Sequence, residues 1–180
     1  MKLALLPLFL LLTASLAAQV NLPGEFVHLL DSLDLRFIGP LDSDYRESTL
    51  RSNSPYLPEQ YALRSRRERL ELRFHLRPER RDDRYYGMPH LAATTVAMNL
   101  GSNDEDAVTA VHQFGDEELA VLNADWARMY TFRPKRSFSS RQQAQLVAMY
   151  RAGRGMAYTV LLFDEAPNTL EGRQLSLRFR

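Results

Sequence analysis

Three segments of the chain repeat one alternation of apolar and polar residues: Leu33-Asp34-Leu35-Arg36-Phe37, Leu70-Glu71-Leu72-Arg73-Phe74 and Leu175-Ser176-Leu177-Arg178-Phe179. Side chains on a strand point to opposite faces in turn, so strict alternation predicts a strand with one buried and one wet face. The second segment runs on through His75, Leu76 and Arg77. Leu70, Leu72, Phe74 and Leu76 are expected in the core, with Glu71, Arg73, His75 and Arg77 facing water. The spacings between the three segments share no period and their flanks differ, so they are read as convergent strand chemistry and not as an internal repeat. Leu70–Arg77 and Leu175–Arg180 are expected in one sheet, with Arg73 and Arg178 on its wet face, where substitution is mild.

A hairpin is expected further on. Gln145–Tyr150 and Met156–Phe163 flank Arg151-Ala152-Gly153-Arg154-Gly155, a connection whose two glycines suit a turn that needs positive φ. Met156–Phe163 is apolar at almost every position and predicts a central strand covered on both faces. Val108–Phe114 and Tyr130–Arg133 are weaker strand candidates. Pro89 opens a predicted helix through His90, Leu91, Thr95 and Met98, closed by Gly101. Asp116 caps a second, whose first turn carries Glu117 and Glu118 and whose face carries Leu119, Leu122 and Trp126. A third, about Pro23–Ser32, buries Phe26, Leu29 and Leu30. Strands at both ends with helices between them predict an α+β domain with an antiparallel or mixed sheet and two to three helices packed on it. Gly39–Pro58 and Arg77–Pro89 read as loops, because strand patterns resume after each.

The N-terminus has a separate pattern. Met1-Lys2, an apolar run from Leu3 to Leu12 and small residues up to Ala18 match a secretory signal peptide over residues 1–18, with cleavage after Ala17 or Ala18. The run falls short of the roughly twenty apolar residues of a transmembrane helix. An uncleaved anchor is the alternative. The remainder, 19–180, is expected as one domain, exported to the periplasm or the cell exterior, with no stable membrane anchor after cleavage.

Composition narrows the functions available. Of 180 residues, 23 are basic and 22 acidic, for a net charge of +1, and Lys2 lies in the leader. So even a balance does not suit a nucleic-acid binder, which needs surplus cations to displace counterions. There is no Cys, which excludes disulfides, thiolate metal sites and thiol nucleophiles. All but two of the basic residues are Arg, for which genomic base composition is a sufficient reason.

Motifs for chemistry are sparse. G-x-S-x-G, S-x-x-K and a P-loop are missing. The four histidines, His28, His75, His90 and His112, give no local zinc pair, and His28 and His112 read as hydrogen-bonded structural residues. Asn103-Asp104-Glu105-Asp106 lacks the ligand spacing of a calcium loop and reads as solvated. Neither a metal nor another cofactor is expected. From Arg64 to Arg84, acids are interleaved with arginines, which predicts surface ion pairs more than a phosphate track; a patch for an acidic polymer is the alternative. The stretch Asn123–Tyr130 holds the one Trp beside an acid at a helix-to-strand junction. It reads either as a core Trp126 with Asp125 bound to local backbone or Arg128, or as one wall of a small-ligand pocket.

The order of a helix, an aromatic junction and a glycine-containing hairpin into Tyr158-Thr159-Val160-Leu161-Leu162-Phe163 resembles small secreted α+β domains of the PsbP/Mog1-like type over the C-terminal half. The chain is also similar to uncharacterised exported bacterial proteins. Members of the PsbP/Mog1-like fold are mostly accessory or binding modules, and the resemblance implies that role here without carrying over catalytic residues. The expectation is a non-enzymatic exported binding or accessory module. Its candidate binding residues are Trp126, Asp125, Arg128, His112 and Tyr158, and its partner is a protein, a small molecule or an acidic polymer. The alternative is a small hydrolase or isomerase pairing His112 with Asp125 in the fold.

Overall fold

A computed structural model describes residues 21–40, 43–49 and 54–180; the expected signal peptide lies outside them. In chain order the elements are α1 (Gly24–Ser32), β1 (Leu35–Phe37), β2 (Arg46–Glu47), β3 (Tyr61–Ser65), β4 (Leu70–Pro78), α2 (Pro89–Leu100), β5 (Ala110–Gln113), α3 (Asp116–Leu122), β6 (Trp126–Phe132), β7 (Gln143–Arg151), β8 (Gly155–Phe163), α4 (Leu170–Gln174) and β9 (Leu177–Phe179). Seven strands form one sheet in the order β2-β3-β4-β8-β7-β6-β5, and β1 and β9 form a separate two-stranded ribbon. Every pairing is antiparallel. The fold is α+β, with four helices among the described residues.

The sheet is covered on both faces, which explains why β8, at its centre, buries all nine residues. On the first face, Leu72, Phe74, Leu76, Val147 and Leu161 meet Phe26 and Leu30 of α1, Leu35, Leu177 and Phe179 of the ribbon, Leu122 of α3 and Leu170 of α4. On the second face, Tyr130, Leu146, Tyr158, Val160 and Leu162 meet Ala92, Ala93, Val96 and Ala97 of α2, together with Leu57 and Phe138. Small residues on the buried side of α2 bring its backbone close to the sheet, while Leu91 and Met98 on its outer side are exposed. The β7–β8 turn depends on Gly155, at φ +128, where a Cβ would collide with the Arg77 carbonyl oxygen.

Several expectations need correction. The terminal segment does not join the sheet that holds Leu70–Arg77. It runs instead as β9 against β1, with Leu35 opposite Phe179 and Phe37 opposite Leu177. The short helix α4 follows the end of β8 and leads the chain onto the first face, where β9 lies. Leu177 and Phe179 nonetheless share the core of Leu72 and Phe74. Arg73 does not face water: it is 6% exposed, because the second face is covered as well. Its Nη1 donates to Glu59 Oε1 at 2.8 Å and to the Phe138 carbonyl at 3.1 Å, and its Nε donates to Glu71 Oε1 at 2.7 Å.

Trp126 is not on a helix. Asn123, in the left-handed region at φ 50, ends α3, and the Ala124 amide closes back on the Leu119 carbonyl at 3.1 Å, a Schellman-type stop. Trp126 then starts β6 and packs, half-buried, on the second face, while Leu119 and Leu122 belong to the first. Asp116 follows the cap position, which is Gly115. Gly39–Pro58 contains the short edge strand β2. Strand β3 and helix α4 have no counterpart among the predicted elements.

Candidate functional site

On the first face, near the β5 edge, the sheet's cover parts between α3 and α4 and leaves an open groove of about 600 Å3. Its floor is Phe114, just past β5, and Met129 of β6, and its walls are Val121 and Leu122 on one side and Leu170 and Leu175 on the other. The α3 wall is set by Gly115 and Glu118. Glu118 Oε2 accepts from the Gly115 amide at 2.8 Å, which satisfies one of the free N–H groups at the helix start. The α4 wall is anchored by Arg173, whose Nε and Nη2 donate to Glu68 at 3.1 and 2.7 Å. Tyr45 Oη and Thr169 Oγ1 donate to the same carboxylate. Burial opposes the charge on Glu68, but the hydrogen bonds from Arg173 and Tyr45 outweigh it and hold the carboxyl down to about 2.

The groove is apolar inside and polar at its mouth. His112 Nε2 lies 3.2 Å from Glu118 Oε1, and both side chains are about half exposed. The Gly115 amide, and after it His112, hold the Glu118 carboxyl below the usual carboxylate range. Gln174 Nε2 donates to Gln145 Oε1 at 2.8 Å across the groove. Chemically this is an apolar slot of small-ligand size, rimmed by an imidazole, the carboxylates of Glu118 and Glu171 and two carboxamides.

Of the five candidate binding residues, His112 lines this groove and the other four lie elsewhere. Trp126 and Arg128 share the second face of β6, with the guanidinium 5.7 Å from the Trp126 ring, and Arg128 Nε donates to Gln113 Oε1. Tyr158 is buried on that face under α2, stacked on His75 at 5.8 Å, and its hydroxyl has no partner among the described residues. Burial raises its pKa well above the ordinary tyrosine value. Asp125 Oδ2 accepts from the Ala152 amide at 2.8 Å and so fixes the β7–β8 turn. The expected His112–Asp125 pair does not form, because His112 turns to Glu118 on the first face.

The remaining histidines and charge clusters are also placed. His28 is exposed on α1 and not a buried structural residue. His75 is mostly buried; desolvation lowers its pKa to about 4. Among the described residues, no three His, Asp or Glu side chains gather around a common point for a metal ion. Asp104 and Asp106 of the acidic loop pair with Arg133 at 3.4 and 2.6 Å. Arg154 pairs with Asp34 at 3.3 Å, and Arg151 donates to the Arg180 carbonyl. Sequence reasoning missed the α4 half of the groove. The signal available was Pro167-Asn168-Thr169, a start signature before Leu170 that a five-residue helix cannot back with any periodicity.

Compared with known protein families, curated proteins and solved structures, the chain shows no match.

Proposed function

We propose that this is an exported binding or accessory module that takes a ligand with an apolar body and a hydrogen-bonding end in the groove between α3 and α4. The observation that carries the reading is the groove itself: about 600 Å3 of open, apolar-floored space with His112, Glu118, Gln145 and Gln174 at its rim. Val121 and Leu175, at 52% and 39% exposure, leave apolar surface on its walls that no other part of the described chain covers. Export is supported by the tripartite N-terminus, and intact-mass measurement of the protein from its host should show the loss of residues up to Ala17 or Ala18. The resemblance to PsbP/Mog1-like domains supports an accessory role.

Nile red, a neutral apolar dye, tests the groove. Its fluorescence should rise saturably with the protein, and the rise should disappear in Val121→Arg and in Leu175→Arg, both of which fold because the positions are exposed. An equal rise in the variants would refute the site. The His112–Glu118 contact favours a second reading, a small hydrolase or isomerase with the imidazole as proton acceptor. Activity lost in His112→Gln while Nile red binding is retained would favour it.

A further inference from the structure

A different pocket lies on the second face, under the β6–β7 connection Arg133-Pro134-Lys135-Arg136-Ser137-Phe138-Ser139-Ser140-Arg141. This connection is pinned from below. Phe138 is buried, its ring lies 4.8 Å from the Arg73 guanidinium, and its carbonyl accepts from Arg73 Nη1. The pin holds Arg136, Ser137 and Ser140 over a polar pocket of about 430 Å3 whose other wall includes Ser48, Thr49 and Arg64.

The charges here are unbalanced in a telling way. Arg141 is matched by Asp164 at 2.5 Å, and Arg73 by Glu59 and Glu71. Arg64 and Arg136 have no ion pair among the described residues. In the ladders Arg64 sits between Arg46 of β2 and Glu71 of β4, a like charge that opposes its placement and an opposite charge that favours it. Charge on an edge strand discourages aggregation, which accounts for Arg46. It does not account for Arg136, which reaches the same pocket from a loop between two other strands. Glu71 and Asp164 also line the pocket, and Glu71 lies opposite Arg64 in the β3–β4 ladder, but their carboxylates are engaged by Arg73 and Arg141. Arg64 and Arg136, brought together from separate elements beside hydroxyls, fit an anion that bridges them.

We infer that this pocket binds an oxyanion carried on a hydroxylated scaffold, the chemistry of a phosphorylated or sulfated sugar. Arg64 and Arg136 take the oxyanion. The hydroxyls of Ser48, Thr49, Ser137 and Ser140 take the hydroxyl groups of the scaffold. Size supports a scaffold over a bare ion: at about 30 Å3 for a water in the liquid, the pocket of about 430 Å3 exceeds what an inorganic anion fills. The site is separate from the α3–α4 groove, which opens on the opposite face, and does not depend on the groove's function.

The test is thermal unfolding of the whole protein with inorganic phosphate, inorganic sulfate, glucose 6-phosphate and glucose, each at an ionic strength matched with sodium chloride. Glucose 6-phosphate should raise Tm saturably, by several degrees when it is about a hundredfold above its Kd. Its half-saturation should fall at least about tenfold below that of phosphate, a 1.4 kcal/mol difference. Arg64→Gln and Arg136→Gln, at exposed positions, should each weaken the response, and the double variant should abolish it, while Arg36→Gln on the ribbon leaves it unchanged. The inference is overturned if glucose 6-phosphate acts no differently from chloride, if it binds no better than phosphate, or if the double variant responds as the parent does.

Discussion

Replacing Arg73 by Met should destabilise the protein severely, and removing Glu59 at the same time should restore most of what is lost. The Arg73 and Glu59 side chains are 7% and 1% exposed, and Glu59 Oε2 has no partner among the described residues, so Arg73 is the charge that makes the carboxylate tolerable. Met reproduces the apolar stem of Arg73 but leaves a buried, uncompensated carboxylate. Breaking a buried pair in this way costs about 3–5 kcal/mol, a large part of the roughly 5–15 kcal/mol that keeps a domain folded. At about 2–4 °C per kcal/mol for a chain of this size, Tm should drop by roughly 6–20 °C. In Arg73→Met/Glu59→Leu both charges are gone, and the site should come within about 1 kcal/mol of the parent, since an apolar replacement of a buried pair is often neutral. Glu71, at 16% exposure, keeps access to water in both variants. Urea unfolding of the four species of the cycle, followed by Trp126 fluorescence, yields the coupling directly. A cost below about 1 kcal/mol for Arg73→Met, or a double variant no more stable than the single one, would refute the argument.

Three further outcomes follow from burial. His75, neutral in the fold with its pKa lowered to about 4 by desolvation, contributes stability that is complete above about pH 6.5, the value for an unfolded His. As pH falls from there toward 4 the unfolded chain takes up the proton first, so up to about 3 kcal/mol is lost; urea midpoints across that range should slope in the parent and flatten in His75→Phe. Trp126→Ala should cost roughly 1–3 kcal/mol in urea unfolding, the range for a side chain that is only half buried, and iodide should quench the parent's fluorescence in part. Ending the chain at Leu175 removes Leu177, Phe179 and the partner of β1, and calorimetry should show a loss of more than about 3 kcal/mol; an unchanged melt would mean that the ribbon holds no part of the core.

What could be read from the sequence was the part of the fold that local pattern dictates. The strands β4, β7 and β8, the turn at Gly153–Gly155 and the helices α1 and α2 all carry their own period and their own stop signals. Where an element is shorter than its period, or lies under two covers, that information disappears. Strand β3 buries Tyr61, Ala62, Leu63 and Ser65 on both sides and so does not alternate. Helix α4 is five residues long, and β2 is two. Leu119, Leu122 and Trp126 have helical spacing, yet Asn123 between them is the residue type that tolerates the left-handed stop.

The α3–α4 groove escaped for a related reason, since its α4 wall is anchored by contacts between Glu68 and Arg173, 105 positions apart. No local spacing encodes such a contact. The burial of Arg73, by contrast, was within reach of a two-step argument. Met156–Phe163 is apolar throughout and therefore needs cover on both faces, and a strand paired with it must share that cover. Strand β4 is that partner, with Arg73 opposite Val160 in the register. Its alternation thus separates two interiors, one apolar and one in which an arginine has to be matched by acids. Glu71, two residues away on the same face, is one of them, and Glu59 reaches the site from the loop before β3. Because the guanidinium is spent on these acids and on the Phe138 carbonyl, it fixes the β6–β7 connection without itself being free for a ligand. Arg64 and Arg136 are left to act at the pocket above it. Arg73→Met/Glu59→Leu therefore makes one further separation: it should keep the stability of the parent yet weaken the response to glucose 6-phosphate, because the pin under Phe138 is gone while the two pocket arginines remain.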